Sequence, residues 1–172
     1  MNPLLVMLCG PSNAGKSTLA GRLSTIYQPV IYLSTDALIS EEARRRGTTY
    51  EAIFEEYFPF ANRKYQVELG EALKARRNIL VDRTHTTVAS RRKVLSRVPL
   101  IYDRIAVCVG HDVGITELLT RRDKRVAAGG FGVPDDVIKR MYMDWQRERP
   151  TLDEGFQFIT YVNRTDIPYV NP

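Results

Sequence analysis

Short apolar runs punctuate the chain at Leu4–Cys9, Val30–Leu33, Ile79–Val81, Ile105–Val109 and Phe156–Val162, and most segments between them carry apolar residues at helical spacing. A run that is apolar without alternation suits a strand covered on both faces, and the intervening helices supply the two covers. The pattern therefore predicts an α/β fold: a parallel sheet of about five strands with helices on both faces. Between the second and third runs, Tyr50 to Arg77 carries Ile53, Phe54, Tyr57 and Phe58, then Tyr65, Leu69 and Leu73, with Pro59 in between. Proline removes one helical hydrogen bond, so this stretch reads as two helices or one kinked helix. After the fourth run, Ile115 to Val126 places Ile115, Leu118, Leu119 and Val126 on one side and Arg121, Arg122, Lys124 and Arg125 elsewhere. Gly129-Gly130-Phe131-Gly132 breaks that helix, and Pro134 opens another running to about Trp145 with Val137, Ile138, Met141 and Tyr142 inward. A basic helical hairpin flanked by glycines reads as a mobile lid over about 117–135. The last residues, ending Asn171-Pro172, are expected to fray.

The first apolar run feeds directly into Gly10-Pro11-Ser12-Asn13-Ala14-Gly15-Lys16-Ser17-Thr18, which fits G-x-x-x-x-G-K-[ST] in full. Small residues let the backbone curl until successive N–H groups point inward at an anion, and the helix starting near Ser17 adds its positive dipole end. In such a loop Lys16 reaches the β- and γ-phosphates of a nucleoside triphosphate and the Ser17 hydroxyl ligates Mg²⁺. ATP and Mg²⁺ are the expected cofactors.

Ligands of an open α/β sheet collect outside the carboxyl ends of its strands, which draws attention to the acids there. Asp36, in Ser34-Thr35-Asp36 just past the second run, could accept a proton from an acceptor hydroxyl attacking the γ-phosphate. It could equally cap the helix Ala37–Arg46. Asp82 closes the third run; it could hold Mg²⁺ or its water shell, or hydrogen-bond the Arg83-Thr84-His85 turn. Arg121 and Arg125 lie four apart on the lid helix, so they share a face and could close together over a triphosphate; a solvated basic face is the alternative. His85 and His111 have no metal-ligand spacing and carry less weight.

With 172 residues, 44% of them apolar, the chain is read as one domain over 1–172. The net charge of +5 adds little, but 19 of the 25 basic residues are Arg, the side chain suited to bidentate phosphate contacts. A nucleic-acid or other phosphorylated partner and a merely solvated face both fit this excess. Cys9 and Cys108, each at a predicted strand end, read as buried free thiols in a reducing compartment. The amino terminus lacks the pattern of a signal peptide and no apolar run approaches a membrane span, so a soluble, cytoplasmic protein is expected.

In order, the phosphate loop, Ser34-Thr35-Asp36, Val81-Asp82-Arg83-Thr84-His85, Glu117 to Arg125 and Val133 to Tyr142 together resemble the kinase domain of polynucleotide 5′-hydroxyl kinases. Arg149-Pro150-Thr151-Leu152-Asp153-Glu154-Gly155-Phe156 is similar to the segment before the last strand in the DNA-repair members. The resemblance spans nearly the whole chain and implies a kinase acting on the 5′-OH end of DNA or RNA, without the phosphatase domain that often accompanies such kinases. It implies that Asp36 is the general base, that Lys16 and Ser17 serve phosphate and Mg²⁺, and that Arg125, backed by Arg121, is the lid arginine on the γ-phosphate. Two departures bear on the acceptor. Ile39 stands where some members hold a phosphate-binding Arg, and Asp82-Arg83-Thr84-His85 replaces the usual Asp-Asn-Thr-Asn. Arg83, or one of Arg44, Arg45 and Arg46, is then the candidate acceptor clamp. The rival readings are the same chemistry on a hydroxymethylated base, a nucleotide or a small metabolite, and an NTP-driven switch with no acceptor.

Overall fold

The computed structural model describes residues 2–26 and 29–163, so the terminus expected to fray lies outside the described residues. The five apolar runs form strands β1 (Leu4–Cys9), β2 (Val30–Leu33), β3 (Asn78–Asp82), β4 (Asp103–Val109) and β5 (Phe158–Val162). All pair in parallel, in the order β2-β3-β1-β4-β5. β1 is central, and its side chains explain why its run is apolar throughout. Leu5, Met7 and Cys9 enter one core with Tyr65, Leu69 and Trp145, whereas Leu8 enters the opposite core with Ala20, Leu118 and Ile138.

Six α-helices among the described residues cover the sheet: α1 (Lys16–Ile26), α2 (Thr35–Arg46), α3 (Tyr50–Lys74), α4 (Val88–Leu95), α5 (Ile115–Ala127) and α6 (Asp135–Arg147). α2 starts at the N-cap Ser34, whose hydroxyl accepts from Ala37 N–H at 3.2 Å. It stops at Gly47, in the left-handed conformation that a helix end favours.

Of the two alternatives for residues 50–77 the structure has the single helix, and two further elements differ from the sequence expectation. α3 is one helix, with Pro59 inside it. The roughly 3 kcal/mol that an internal proline costs is outweighed by burial of Ile53, Ala61, Tyr65 and Leu69 on either side of it, while Pro59 itself faces solvent. α4 was not expected, because its Arg-rich sequence hides the buried pair Val94 and Leu95; Thr87 caps it, accepting from Ser90 N–H at 3.2 Å. β5 begins at Phe158 instead of Phe156, since a capping box between Thr151 and Glu154 closes a short 3₁₀ turn and delivers Phe156 to the core before the strand starts.

Candidate active site

The candidate site lies at the carboxyl ends of β1, β2 and β3, where a cavity of about 520 Å³ opens between the phosphate loop, α2 and α5. The loop leaves β1 at Gly10, whose φ is +149° and where a Cβ would lie 2.1 Å from the Val109 carbonyl oxygen. No side chain fits there. Gly10 N–H donates to the Thr84 carbonyl at 2.8 Å, which ties the loop to the exit of β3. Gly110, after β4, abuts the loop from the other side: a Cβ on it would lie 2.6 Å from Ala14 Cβ.

Lys16 is buried and its ammonium donates to the Pro11 carbonyl at 2.7 Å, spanning the loop from within. Burial pulls its pKa below the usual lysine value, and the nearby carboxylates of Asp82 and Asp36 oppose that shift. The amide nitrogen of the half-buried Asn13 is itself out of solvent and has no partner. Arg121 reaches the same loop from α5, donating to the Asn13 carbonyl at 3.3 Å while its Nε donates to Glu117 at 3.0 Å. A concave backbone, a buried lysine, an orphaned buried donor and a lid arginine suit a polyphosphate. Ser17 and Asp82 both line the cavity, so the two candidate metal-binding side chains face one space.

Asp36 is the second residue of α2 and lines the cavity. Ser34 is the cap, so the capping role weighed for Asp36 is taken by another residue. Its Oδ1 instead accepts from the Tyr50 hydroxyl, at the first residue of α3, at 3.0 Å. Asp82 is buried at the end of β3 and its Oδ2 accepts from the Tyr32 hydroxyl at 2.8 Å. Burial and the adjacent carboxylate push both phenols well above the usual tyrosine range, which keeps each a donor.

Arg83 enters the cavity immediately after Asp82. Its guanidinium donates to Asn62 Oδ1 at 3.2 Å and lies 4.9 Å from the ring centre of Tyr65, so α3 holds it in place. Ile39 is fully buried against Ala43, Ile53 and Ala61, facing away from the cavity. Arg44, Arg45 and Arg46 occupy the last turn of α2, about 12–15 Å along the helix from Asp36. The cavity is not lined by any of the three. Arg45 and Arg46 grip Glu42 at 2.6 Å, and Arg46 also reaches Glu56 at 2.9 Å. The structure thus brings Arg83, but not the α2 cluster, to the site.

Arg125, in the last turn of α5, lies 3.6 Å from the ring centre of Phe131 in the following loop. Phe131 stacks on Tyr50 at 4.0 Å with 15° between the planes. Next to it, Gly132 N–H donates to Glu51 at 2.8 Å. The lid is therefore down on the first turn of α3.

His85 lies buried behind the β3 exit at φ +45°, its pKa pushed down to about 3 chiefly by burial, with Arg83 and Arg91 adding to it. Its carbonyl accepts from Arg91 at 3.0 Å. Arg91, fully buried, makes two bonds of 2.7 Å to Glu154. His111 packs edge-on against Tyr161, with the ring centres 5.1 Å apart. Both histidines build walls. The sequence reading missed Tyr32, Tyr50 and Asn62, which carry no local motif; Phe131 offered a faint signal as the one aromatic among the glycines that end α5.

A glycine-bounded loop wrapping a buried lysine after the central strand, acids ending the neighbouring strands and a basic helix folded over them define a P-loop kinase-like α/β protein. By sequence, the chain belongs to the AAA domain family, which matches residues 5–148. Solved structures share the fold at low identity. A kinase candidate from Chloroflexus aurantiacus is 20% identical with a TM-score of 0.67, over 97% of this chain and 87% of that one. A chain of the Pnkp1/Rnl/Hen1 RNA repair complex is 20% identical with a TM-score of 0.66, over 85% of this chain and 45% of that one, so the match spans under half of its length. Shikimate kinase from Acinetobacter baumannii, in complex with shikimate, is 20% identical with a TM-score of 0.54, over 96% and 87%. No curated protein matches the sequence. Among the described residues, no helix is long and apolar enough to cross a membrane.

Proposed function

We propose that the protein is a kinase that transfers the γ-phosphate of ATP to a hydroxyl of a nucleic acid, foremost the 5′-OH end of DNA or RNA. The observation that carries this reading is the placement of Asp36 and Lys16 on one cavity with Arg121 and Arg125. An acid and several cations lining one space are what an in-line phosphoryl transfer requires.

In this reading the loop amides of residues 12–15 and the Lys16 ammonium hold the β- and γ-phosphates. Ser17 and Asp82 would hold Mg²⁺, which would neutralise charge on the phosphates. Asp36 takes the proton of the acceptor hydroxyl as its oxygen bonds to the γ-phosphorus. The bond from that phosphorus to the bridging oxygen breaks and ADP leaves. Arg125 and Arg121 spread charge on the moving phosphoryl group. Arg83 binds an acceptor phosphate. The preference for a nucleic acid is supported by the likeness to a chain of an RNA repair complex and to a fungal RNA kinase, the latter 14% identical with a TM-score of 0.57. The two free, buried thiols suit a reducing cytoplasm.

A second reading, the same transfer to a hydroxymethylated base, a nucleotide or a small metabolite, is favoured by one observation: Arg83 has no support at the acceptor from the α2 arginines, which lie outside the cavity. The test is transfer from γ-labelled ATP to 5′-OH oligonucleotides, 5′-phosphorylated oligonucleotides, hydroxymethyluracil DNA and free nucleosides. Label on 5′-OH ends alone supports the first reading, label on the modified base or nucleosides the second. ATP hydrolysis without any labelled acceptor overturns both.

A further inference from the structure

The contacts around Asp36 form one continuous column. Arg125 lies 3.6 Å from the Phe131 ring centre, Phe131 stacks on Tyr50 at 4.0 Å, and the Tyr50 hydroxyl donates to Asp36 Oδ1 at 3.0 Å. The column begins on the lid helix, passes through the lid loop and α3, and ends on a carboxylate in α2. It joins the lid to the consecutive helices α2 and α3, which are far from it in sequence.

We propose that Tyr50 is the positioning residue for the Asp36 carboxylate, and that Phe131 makes this positioning conditional on closure of the lid. The proposal rests on the reading of Asp36 as the base. An aspartate in the first turn of a helix has two free side-chain torsions, and a base is useful only when one oxygen faces the acceptor. The Tyr50 hydroxyl occupies Oδ1 and so fixes both torsions, leaving the other oxygen for the proton. The Tyr50 ring packs tilted against Phe54, 5.5 Å away on the same helix, and needs a second neighbour on its stacking face to hold the hydroxyl in place. That neighbour is Phe131, which approaches only when the lid loop is down, and Gly132 N–H on Glu51 anchors the loop one residue further along each chain segment. Gly130 gives Arg125 room within the column: a Cβ there would lie 2.7 Å from Arg125 Cγ. Closing the lid thus orders the base and places the arginine in one motion, which guards against spending ATP on water while the site is open.

Packing alone would need the Tyr50 ring and not its hydroxyl, and this difference makes the proposal testable in the full-length chain. Tyr50→Phe keeps the stack and removes the hydrogen bond. Turnover on a 5′-OH oligonucleotide, or on whichever acceptor the panel above identifies, should fall roughly tenfold, with ATP affinity and melting temperature unchanged. In the Asp36→Asn background the same change should cost nothing further, because its effect runs through that carboxylate. Phe131→Ala should lower turnover at least as much and speed trypsin cleavage within the lid, whereas Phe131→Trp should restore both and Tyr50→Phe should leave cleavage unchanged. Wild-type turnover in Tyr50→Phe, or an equal loss with and without Asp36, overturns the proposal while the base reading stands. Full activity in Asp36→Asn overturns the base reading, and the positioning role with it.

Discussion

The two sides of the cavity are built in opposite ways. On the phosphate side, a single stretch from Gly10 to Thr18 makes the surface mostly from backbone, and its shape is set by the central strand and by a glycine that tolerates no side chain. On the proposed acceptor side, Asp36, Asn62, Arg83 and Phe131 arrive from four separate segments as side chains that other side chains hold in place. In the proposed reading the first construction serves any acceptor. The second can be retuned one residue at a time, and it depends on the lid. Generality and specificity are thus segregated within about 520 Å³.

The largest effect expected is on the phosphate side. Lys16→Ala should abolish transfer to every acceptor, because the loop loses the cation that it is folded around; near-normal turnover in a quench-flow or label-transfer assay would dissolve the contrast altogether. Next, Arg125→Ala should slow transfer on the order of 10³-fold while acceptor affinity is kept, since the lid arginine serves the moving phosphoryl. Lys124→Ala, one position round α5, is the control, and equal small losses in both would make the lid a solvated face.

A smaller, acceptor-specific effect is expected from Arg83→Ala. It should weaken oligonucleotide binding about tenfold and reduce its salt slope by about one, with ATP affinity unchanged. Arg45→Ala, outside the cavity and engaged with Glu42, should change neither. If the two exchanged roles, the acceptor would lie along α2 and not in the cavity.

A different kind of effect, on stability instead of turnover, concerns the joint between the sides, where Thr84 holds Gly10 and His85 lies buried behind it. The folded-state pKa of His85 is about 3 against an ordinary value of 6.5. Between those values the unfolded chain takes up a proton that the folded chain refuses. Stability should therefore fall as pH drops from about 6.5 toward 3, by at most about 1.4 kcal/mol per pH unit from this group, and be insensitive to it above 6.5. Melting curves of wild type and His85→Gln across that range should diverge on the acid side if the variant lacks this dependence.

The same division governs what the sequence reveals. The phosphate loop, the five strands and the basic lid helix are legible because each is local: a motif, an apolar run, a helical period. Asp36 and Asp82 are legible as strand-end acids, yet their partners Tyr50 and Tyr32 are not, since nothing near residue 50 hints at a contact with residue 36. The α2 arginines illustrate the converse. Their charge and proximity to Asp36 in sequence suggest a clamp, but the helix carries them more than two turns away and gives Arg45 and Arg46 to Glu42 and Glu56. Likewise α4 has too few apolar residues for a periodicity to show, and α3 continues through Pro59 on the strength of contacts that only the folded sheet provides.

Cys9 and Cys108 sit opposite each other on β1 and β4, both with no exposed surface. Burial raises both thiols, Cys108 to about 12, so neither offers a thiolate to a reagent while the sheet is intact. The protein consequently carries its own gauge of sheet opening: the rate at which a thiol reagent in excess modifies it is the rate at which the central strands part. It also leaves the surface chemically blank among the described residues, so a single cysteine engineered onto the lid loop could receive a fluorophore without removing the native pair.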